Sequence, residues 1–129
     1  MNIPANLMYT KTHEWARRED AETVVGITEH AQQELRDVVF VELPPVGKTV
    51  KQGEPVAVVE SVKAAFDIYA PISGRVSRVN SAVVKSPQVL NQDCYGAGWL
   101  YAITHVNAED FAALLSASDY AKAIEAEAH

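Results

Sequence analysis

One lysine of this chain, Lys63, stands where a primary amine could be presented for chemistry. It lies between two segments with strand-like patterns, in the run from Glu60 to Gly74. A lysine at the tip of a tight turn offers an amine that an acyl-transferring enzyme can reach and acylate. The plainer alternative is that a turn lysine only protects a sheet from pairing with its neighbours. On spacing alone, this second interpretation is the simpler one.

The segments on both sides of Lys63 favour strands over helix. The apolar run of residues 56–59 precedes it, and apolar side chains alternate over residues 62–70. A β-hairpin with its turn at Lys63 and the residue before it is the economical arrangement, although no Asn-Gly or Asp-Gly pair fixes the turn type. Pro71 and Gly74 then predict the end of the second strand and a further turn.

The remaining sequence up to residue 104 predicts short strands and one short helix. A strand over residues 23–27 should turn with the help of Gly26 into a helix over residues 29–36, for which Thr28 is the expected N-cap. Further extended segments are predicted at three places: residues 38–43, the piece between Gly47 and Gly53, and residues 100–104.

The end of the chain is rich in alanine, leucine and glutamate, which fill helices at little entropic cost. Helices are predicted over residues 107–115 and from 118 to about 126, capped by Asn107 and Ser118. Strands first and helices last predict an α+β fold built on a β-sandwich, with residues 1–129 in a single domain. One apolar stripe of the first terminal helix should cover a face of the sheets: Phe111, Leu114 and Leu115.

Composition excludes several classes of partner. The chain has 129 residues, a net charge of −6 and one cysteine. The negative charge argues against nucleic acid or an anionic membrane as the main partner, and a single cysteine cannot form an internal disulfide. No apolar run approaches the roughly 18 residues of a membrane span, and the first residues lack the order of a secretory signal. We therefore expect a monomeric, cytoplasmic, bacterial protein.

The other reactive side chains lack the spacing of known catalytic motifs. No His-Glu-x-x-His and no paired-cysteine spacing occurs, so we predict no metal site. No His/Asp arrangement lies near Cys94 in sequence, so we expect a structural residue and not a nucleophile. The side chains weighed as metal ligands are His13 with Glu14, His30 with Glu34, His105 and Cys94.

The segment around Lys63 resembles the lipoyl-attachment segment of the glycine cleavage system H-protein family. The similar residues are Glu-Ser-Val-Lys-Ala-Ala at 60–65, followed by Asp-Ile-Tyr-Ala-Pro-Ile-Ser-Gly at 67–74. Further blocks in the same order extend the resemblance over nearly the whole chain: Tyr9-Thr10-Lys11-Thr12-His13-Glu14-Trp15, Val25-Gly26-Ile27-Thr28-Glu29-His30-Ala31-Gln32, Val39-Phe40-Val41-Glu42-Leu43-Pro44, Val79-Asn80, Ser86-Pro87, Leu90-Asn91, Tyr95-Gly96 and Gly98-Trp99-Leu100.

This resemblance implies a carrier and not an enzyme. Lys63 would hold lipoate in amide linkage, attached by a lipoate ligase or a lipoyl/octanoyl transferase. The arm would take the aminomethyl group of glycine from a pyridoxal-phosphate-dependent glycine decarboxylase to a tetrahydrofolate-dependent aminomethyltransferase. An FAD-containing dihydrolipoamide dehydrogenase would then reoxidise it. The implied fold is a mainly antiparallel barrel-sandwich hybrid.

The resemblance also implies roles for residues framing the lysine. Glu60 lies three positions before Lys63, Gly74 eleven after and Gly47 sixteen before, as in lipoyl-type domains that a ligase recognises. The alternative is that both glycines are turn residues and Glu60 is a solvated acid.

Members of this family fold the loaded arm back into a polar cleft. The matching positions here are Thr12, Glu14 and Asp67, and Glu34 occupies a position that is histidine in some members. The alternative is that these acids merely face water. Two further departures from the family pattern touch this region: Phe66 replaces a small hydroxyl residue, and Arg36 stands where glycine commonly ends the first helix.

Two other functions remain open from the sequence. A lipoyl domain of a 2-oxoacid dehydrogenase is the nearest, although such domains usually show Asp-Lys-Ala at the tip and continue into flexible linkers. A non-catalytic interaction module is the other. Biotin attachment is disfavoured because Val62 and Ala64 stand where biotin-carrying domains have methionines.

Overall fold

The computed structural model describes residues 1–104 and 106–127, so His105 lies outside the described residues. The strands are β1 (Met8–Tyr9), β2 (Glu14–Glu19), β3 (Glu22–Ile27), β4 (Val38–Glu42), β5 (Thr49–Val50), β6 (Pro55–Ser61), β7 (Ala65–Tyr69), β8 (Gly74–Val79) and β9 (Tyr101–Thr104). The helices are α1 (Glu29–Leu35), α2 (Ser81–Lys85), α3 (Val89–Gln92), α4 (Ala108–Ala112) and α5 (Ala117–Glu127).

The strands form two antiparallel sheets. Six strands pair in the order β1-β2-β3-β9-β8-β5, and three pair in the order β4-β6-β7. Every pairing within each sheet is antiparallel. The predicted α+β class and the barrel-sandwich architecture are confirmed.

Two hydrophobic clusters hold the layers together. The larger one lies between the sheets and includes Val25 and Ile103 from one sheet and Val59 from the other. The smaller one packs β1 and β2 against α5, where the rings of Tyr9 and Tyr120 stack with centroids 4.7 Å apart. This second cluster fixes the position of α5 relative to the start of the chain.

The short helix after β3 follows the sequence prediction closely. Thr28 accepts a hydrogen bond from the Ala31 amide at 3.3 Å and so caps α1, as expected. Gly26 was expected to help the chain turn, and this was wrong. It lies inside β3, and a Cβ there would come within 2.5 Å of the Trp15 indole, so glycine makes room for that ring.

The terminal helices differ from the prediction in length and in capping. Asn107 caps α4 as expected, but α4 ends at Ala112 and not at residue 115. The reason is that Leu115 exchanges two backbone hydrogen bonds with Tyr9, each 2.8 Å, which a helical backbone could not make. Helix α5 begins earlier than predicted, and its first turn is bonded by Ser116, whose hydroxyl accepts from the Asp119 amide at 3.1 Å; Ser118 lies within the helix.

Two short helices were not predicted. Helix α2 is five residues long and α3 is four, too short for a hydrophobic period to show in the sequence. Asn80 caps α2 through its side chain, which accepts from the Ala82 amide at 3.2 Å.

The apolar stripe predicted to cover a face of the sheets is only half-buried: Phe111, Leu114 and Leu115 pack at the edges of the two hydrophobic clusters.

Candidate functional site

Lys63 lies at the tip of the β6–β7 hairpin, as predicted. Glu60 on β6 pairs with Ala65 on β7, and the Ser61 amide donates to the Ala64 carbonyl at 2.8 Å. The turn is therefore formed by Val62 and Lys63. Neither has a positive φ, so this is not one of the mirror-image turns that favour Asn-Gly.

Ser61 stabilises the backbone of this turn, which lacks an Asn-Gly pair. Its hydroxyl oxygen lies 3.3 Å from the amide nitrogens of both Lys63 and Ala64 and accepts from them. The side chain is buried, whereas Lys63 is exposed and Val62 is 77% exposed. The turn backbone is held while its two outer side chains face solvent. This role of Ser61 was not predicted, although a serine preceding a two-residue turn can signal it.

A second support reaches the tip from the segment between α1 and β4. The Val62 amide donates to the Asp37 carbonyl at 3.3 Å. That segment is in turn fixed by the Asn91 side chain, which accepts from the Val38 amide at 2.9 Å and donates to the Arg36 carbonyl. Asn91 comes from α3, which was not predicted, so sequence reasoning had no means of placing this support.

The residues expected to guide a ligase have different structural settings. Glu60 is half-buried on β6, directly before the turn. Gly47 has φ +95°, which only glycine adopts readily, so it is a turn residue. Gly74 was expected in a turn, and this was wrong. It begins β8, where a Cβ would come within 2.2 Å of Ile103 and 2.5 Å of the Thr104 carbonyl oxygen.

Glu14 does not face water. Its side chain is fully buried, and its carboxylate accepts from the hydroxyls of Thr10 at 2.5 Å and Thr12 at 2.6 Å and from the Tyr69 amide at 3.1 Å. Burial raises the pKa of this carboxyl, and the hydrogen bonds from Thr10, Thr12 and the Tyr69 amide oppose that rise. The hydroxyl of Tyr101, buried in the same region, has no hydrogen-bond partner within the described residues.

Three of the four expected cleft residues line one cavity. Thr12, Glu34 and Asp67 border a cavity of about 80 Å³, together with Phe66. Phe66 is 44% exposed, so it forms part of the cleft wall and does not fill the core. Asp67 is exposed, in agreement with the alternative that it faces water, but it does so at the mouth of this cleft.

Glu14 borders a different cavity. A larger cleft of about 260 Å³ is lined by Glu14, Thr10 and Tyr69, and Thr12 contributes to the walls of both clefts. Thr12 therefore connects Glu14 with the smaller cleft through the hydrogen bond between its hydroxyl and the Glu14 carboxylate. Glu14 was predicted to be one of the cleft acids, whereas its position behind Thr12 was not predicted.

The two histidines weighed as metal ligands come together despite their spacing. The rings of His13 and His30 have centroids 4.3 Å apart, and His30 Nε2 lies 2.5 Å from the Glu34 carboxylate. Burial lowers the pKa of His13, and the neighbouring charge of His30 lowers it further. Glu127 of α5 completes this group and was not foreseen, because it lies more than 90 residues away along the chain.

Cys94 has the expected structural setting. Its side chain is buried, and burial raises the pKa of the thiol to about 12, which disfavours the thiolate that nucleophilic chemistry needs. Its carbonyl accepts from the Trp15 indole at 3.0 Å.

Among the described residues, no helix is both long and apolar enough to span a bilayer.

Known proteins with similar sequences share one description. The family profile described as "Glycine cleavage H-protein" matches residues 7–127. The glycine cleavage system H protein of Psychrobacter sp. (strain PRwf-1) is 56% identical over 120 residues, which cover 92% of this chain and 95% of that protein. That of Thermus thermophilus is 52% identical over 128 residues, 99% of this chain and 100% of that protein.

A solved structure agrees with the sequence comparisons. The crystal structure of a glycine cleavage system H protein from Mycobacterium marinum superposes with a TM-score of 0.85 at 43% identity, covering 93% of this chain and 97% of that one. These matches span the sheets, the hairpin with Lys63 and the terminal helices together. They favour this family over a lipoyl domain of a 2-oxoacid dehydrogenase.

Proposed function

This chain belongs to the glycine cleavage H-protein family, and we propose that Lys63 is the residue that carries its lipoyl group in amide linkage. The protein is a carrier of the glycine cleavage system and not an enzyme. The observation that carries the proposal is the exposed amine of Lys63 on a two-residue turn whose backbone is held by Ser61 and Asp37. Within the described residues, this amine forms no ion pair, so it is available for acylation.

A rigid base is what a long arm requires. The lysine side chain with an eight-carbon acyl chain has about eleven bonds of roughly 1.5 Å and reaches on the order of 14 Å when extended. When bound, the lipoyl group supplies a dithiolane that accepts the aminomethyl unit of glycine and passes it on. A fixed turn confines this reach to one volume, which raises the effective concentration of the arm at a docked partner.

The smaller cleft lies within that reach. Phe66 on its wall is three residues from Lys63, a distance of at most about 11 Å along an extended strand. Asp67 and Glu34 supply negative charge at the cleft, where they would accept charge-assisted hydrogen bonds from a protonated amine. We propose that the Thr12 hydroxyl oxygen accepts from the amine as well, because its hydrogen is donated to the buried carboxylate of Glu14.

The carrier role implies four partners. We propose that a pyridoxal-phosphate-dependent glycine decarboxylase, a tetrahydrofolate-dependent aminomethyltransferase and an FAD-containing dihydrolipoamide dehydrogenase meet the arm in turn. A lipoate ligase or lipoyl/octanoyl transferase would attach the group, with Glu60 beside the turn as a recognition residue and with Gly47 and Gly74 shaping the backbone around it. We place this work in the bacterial cytoplasm, since the relatives named above are bacterial.

Intact mass after incubation with lipoate, ATP and lipoate ligase tests the attachment site. The wild-type protein should gain one lipoyl increment, and Lys63→Arg should gain none because its guanidinium cannot form the amide. Lys85→Arg, which changes an exposed lysine at the end of α2, is the matched control and should be lipoylated normally. A full increment on Lys63→Arg would refute the proposal.

Two further variants test the surrounding residues. Glu60→Gln should slow lipoylation without altering the circular dichroism spectrum, whereas Glu42→Gln on the neighbouring strand should not slow it; equal rates for the two would remove Glu60 from recognition.

Asp67→Asn should speed the release of ammonia from protein loaded with glycine by the decarboxylase, while the exposed Asp119→Asn should not. An unchanged release rate in Asp67→Asn would remove Asp67 from the cleft's role.

A further inference from the structure

Two histidines and a glutamate from three separate elements meet beside the smaller cleft. His13 comes from the turn between β1 and β2, His30 from the first turn of α1, and Glu127 from the last turn of α5. One ligand atom from each lies within 4.8 Å of the other two. The described part of the chain contains no other such group of histidine, cysteine or acidic side chains.

The distances in this group are close to the spacing of ligands around one ion. Glu127 Oε2 lies 3.5 Å from His13 Nε2 and 4.0 Å from His30 Nε2. Ligand atoms placed tetrahedrally at about 2.0–2.1 Å from a zinc ion are separated by roughly 3.4 Å. The ligand atoms of the two histidines lie within 4.8 Å of each other, so closing the group around one ion needs side-chain shifts of up to about 1 Å.

Glu34 lies next to the group but is not part of it. It is one turn after His30 on the same face of α1, and its carboxylate is 2.5 Å from His30 Nε2. In the metal-free protein this carboxylate accepts the hydrogen bond of the imidazole. The His30 ring has to give up that hydrogen bond when Nε2 binds an ion, so binding of the ion competes with Glu34.

His13 is oriented as ligating histidines usually are. Its Nδ1 lies 2.7 Å from the hydroxyl of Tyr120, and that hydroxyl lies 2.7 Å from the buried hydroxyl of Thr28. A hydrogen bond from the second ring nitrogen to such a partner fixes the ring and leaves the lone pair of Nε2 directed at the ion. Both partners are buried, so the support is rigid.

The backbone at His13 is held in an unusual conformation. Its φ is +74°, in the left-handed region that is uncommon for residues other than glycine, although histidine adopts it more often than most, as asparagine and aspartate do. Its carbonyl accepts from the Thr28 amide at 3.1 Å, and its amide donates to the Thr10 carbonyl at 3.2 Å. Such strained positions concentrate at functional sites, because the surrounding structure has to impose them.

We propose that His13, His30 and Glu127 bind a single zinc ion, with water in the fourth position. Two imidazoles with a carboxylate form a mixed nitrogen and oxygen donor set that suits Zn²⁺, whereas Mg²⁺ and Ca²⁺ favour oxygen donors. The ion would join the end of α5 to α1 and to the β1–β2 turn, at the side of the cleft that His13 and Glu34 line. It would therefore stabilise the folded protein by mass action, and this stabilisation would grow with the logarithm of the free zinc concentration once that exceeds the Kd.

Competition titration measures this binding directly. Untagged full-length protein, treated with a chelator and dialysed, is titrated with Zn²⁺ against a chromophoric zinc indicator, and Mg²⁺ serves as the comparison ion. We expect one zinc per chain and no competition by millimolar Mg²⁺. His13→Asn, which keeps a residue that tolerates positive φ, and His30→Gln should each weaken binding by at least the roughly 10–100-fold that loss of an outer partner costs.

Matched variants separate this site from other zinc-binding groups. Glu127→Gln should weaken binding, while Glu125→Gln, an exposed acid two positions earlier on α5, should not. A variant with both His105→Gln and His129→Gln should keep the wild-type affinity. Circular dichroism and nitrogen-15 chemical shifts of the imidazoles provide independent readouts, since zinc should shift His13 and His30 resonances in the folded wild type. Binding that is absent, or that survives His13→Asn and His30→Gln together, would overturn the proposal.

Discussion

The hairpin tip and the region around Glu14 place an ionisable side chain in opposite environments. Lys63 is exposed, and the bonds that hold its turn come from Ser61 two positions before it and from backbone groups. Glu14 is fully buried, and its carboxylate accepts from three donors, two in the segment between β1 and β2 and one at the end of β7. The first region fixes the backbone and releases the side chain, while the second fixes the side chain itself.

This difference separates what a carrier must expose from what it must keep rigid. An amine that several partner enzymes have to reach gains nothing from bonds to its own protein. A carboxylate that orients a cleft residue works only when its own position is determined by other groups. The free energy of unfolding should therefore depend strongly on Glu14 and hardly at all on Lys63, whereas lipoylation should show the reverse.

Replacing the two residues by alanine gives the largest expected contrast. Glu14→Ala leaves two threonine hydroxyls and the Tyr69 amide without their buried acceptor, so we expect a loss of about 2–4 kcal/mol in the free energy of unfolding. Lys63→Ala removes an exposed side chain that makes no hydrogen bond or ion pair with the described residues, so it should stay within about 0.5 kcal/mol of wild type. Urea denaturation followed by circular dichroism measures both.

A glutamine at position 14 distinguishes lost charge from lost volume. Glu14→Gln keeps the shape and one acceptor oxygen, so it should be less destabilising than Glu14→Ala. If Glu14→Ala unfolded at the same urea concentration as Lys63→Ala, the buried carboxylate would contribute nothing to stability, and the contrast between the two regions would fail.

The pH dependence of stability gives the next largest effect. Burial raises the pKa of the Glu14 carboxyl above its usual range, so the folded protein holds this proton more tightly than the unfolded chain does. The resulting stabilisation is present below the ordinary glutamate pKa and is lost as the pH rises through the raised value. We expect the free energy of unfolding of wild type to fall relative to Glu14→Gln over that interval.

Denaturation of both proteins at several pH values measures this difference. Subtracting the Glu14→Gln values removes the titration of the other acids, which both proteins share. A difference that stays constant with pH would show that the hydrogen bonds from the threonines offset the effect of burial on the pKa. A difference that grows in favour of wild type as the pH rises would show that they outweigh it.

Arg36 tests the support beneath the tip. It has φ +62°, in the region that favours glycine, and its carbonyl accepts from the Asn91 side chain. Arg36→Gly should relieve strain and stabilise the protein by about 1 kcal/mol. Asp20→Gly is the matched control at another positive φ, +37°, and should gain less because aspartate tolerates this region better. Thermal unfolding compares the two, and an equal gain would mean that Arg36 carries no special strain.

The same two regions differ in how far the sequence predicted them. The turn at Val62 and Lys63 was confirmed because its strands and its bonding groups all lie within a few positions of one another. The partner of Glu14 on β7 is 55 positions away, and the Tyr120 hydroxyl that bonds His13 is 107 positions away. No local pattern encodes contacts at that separation, so the cleft was predicted only as a set of residues that resemble the family.

Long-range pairing also explains the errors in the elements. Helix α4 ends early because Leu115 pairs with Tyr9, and Gly26 and Gly74 are required by side chains and backbone that approach from other strands. Glycine in a sequence signals either a turn or a close approach, and only the tertiary neighbours decide between the two. Gly47 and Gly53, predicted to bracket a short extended piece, have φ of +95° and +85°, a requirement that is local to the chain.

Replacing Ser61 should have the smallest effect on the free energy of unfolding. It also tests whether a fixed turn backbone is needed for lipoylation of Lys63. The Ser61 hydroxyl accepts two amide hydrogens at the turn, at 3.3 Å each, which are long bonds next to solvent. Ser61→Ala should therefore cost only about 0.5–1 kcal/mol of unfolding free energy. Lipoylation of Lys63 should nevertheless slow, because the ligase would meet a turn with more conformations. Ser61→Thr keeps the hydroxyl and should retain the rate, and Ser81→Ala, exposed on α2, controls for loss of a serine elsewhere. If Ser61→Ala were lipoylated as fast as wild type, the ligase would not require a fixed turn backbone. Exposure of Lys63 alone would then explain its selection.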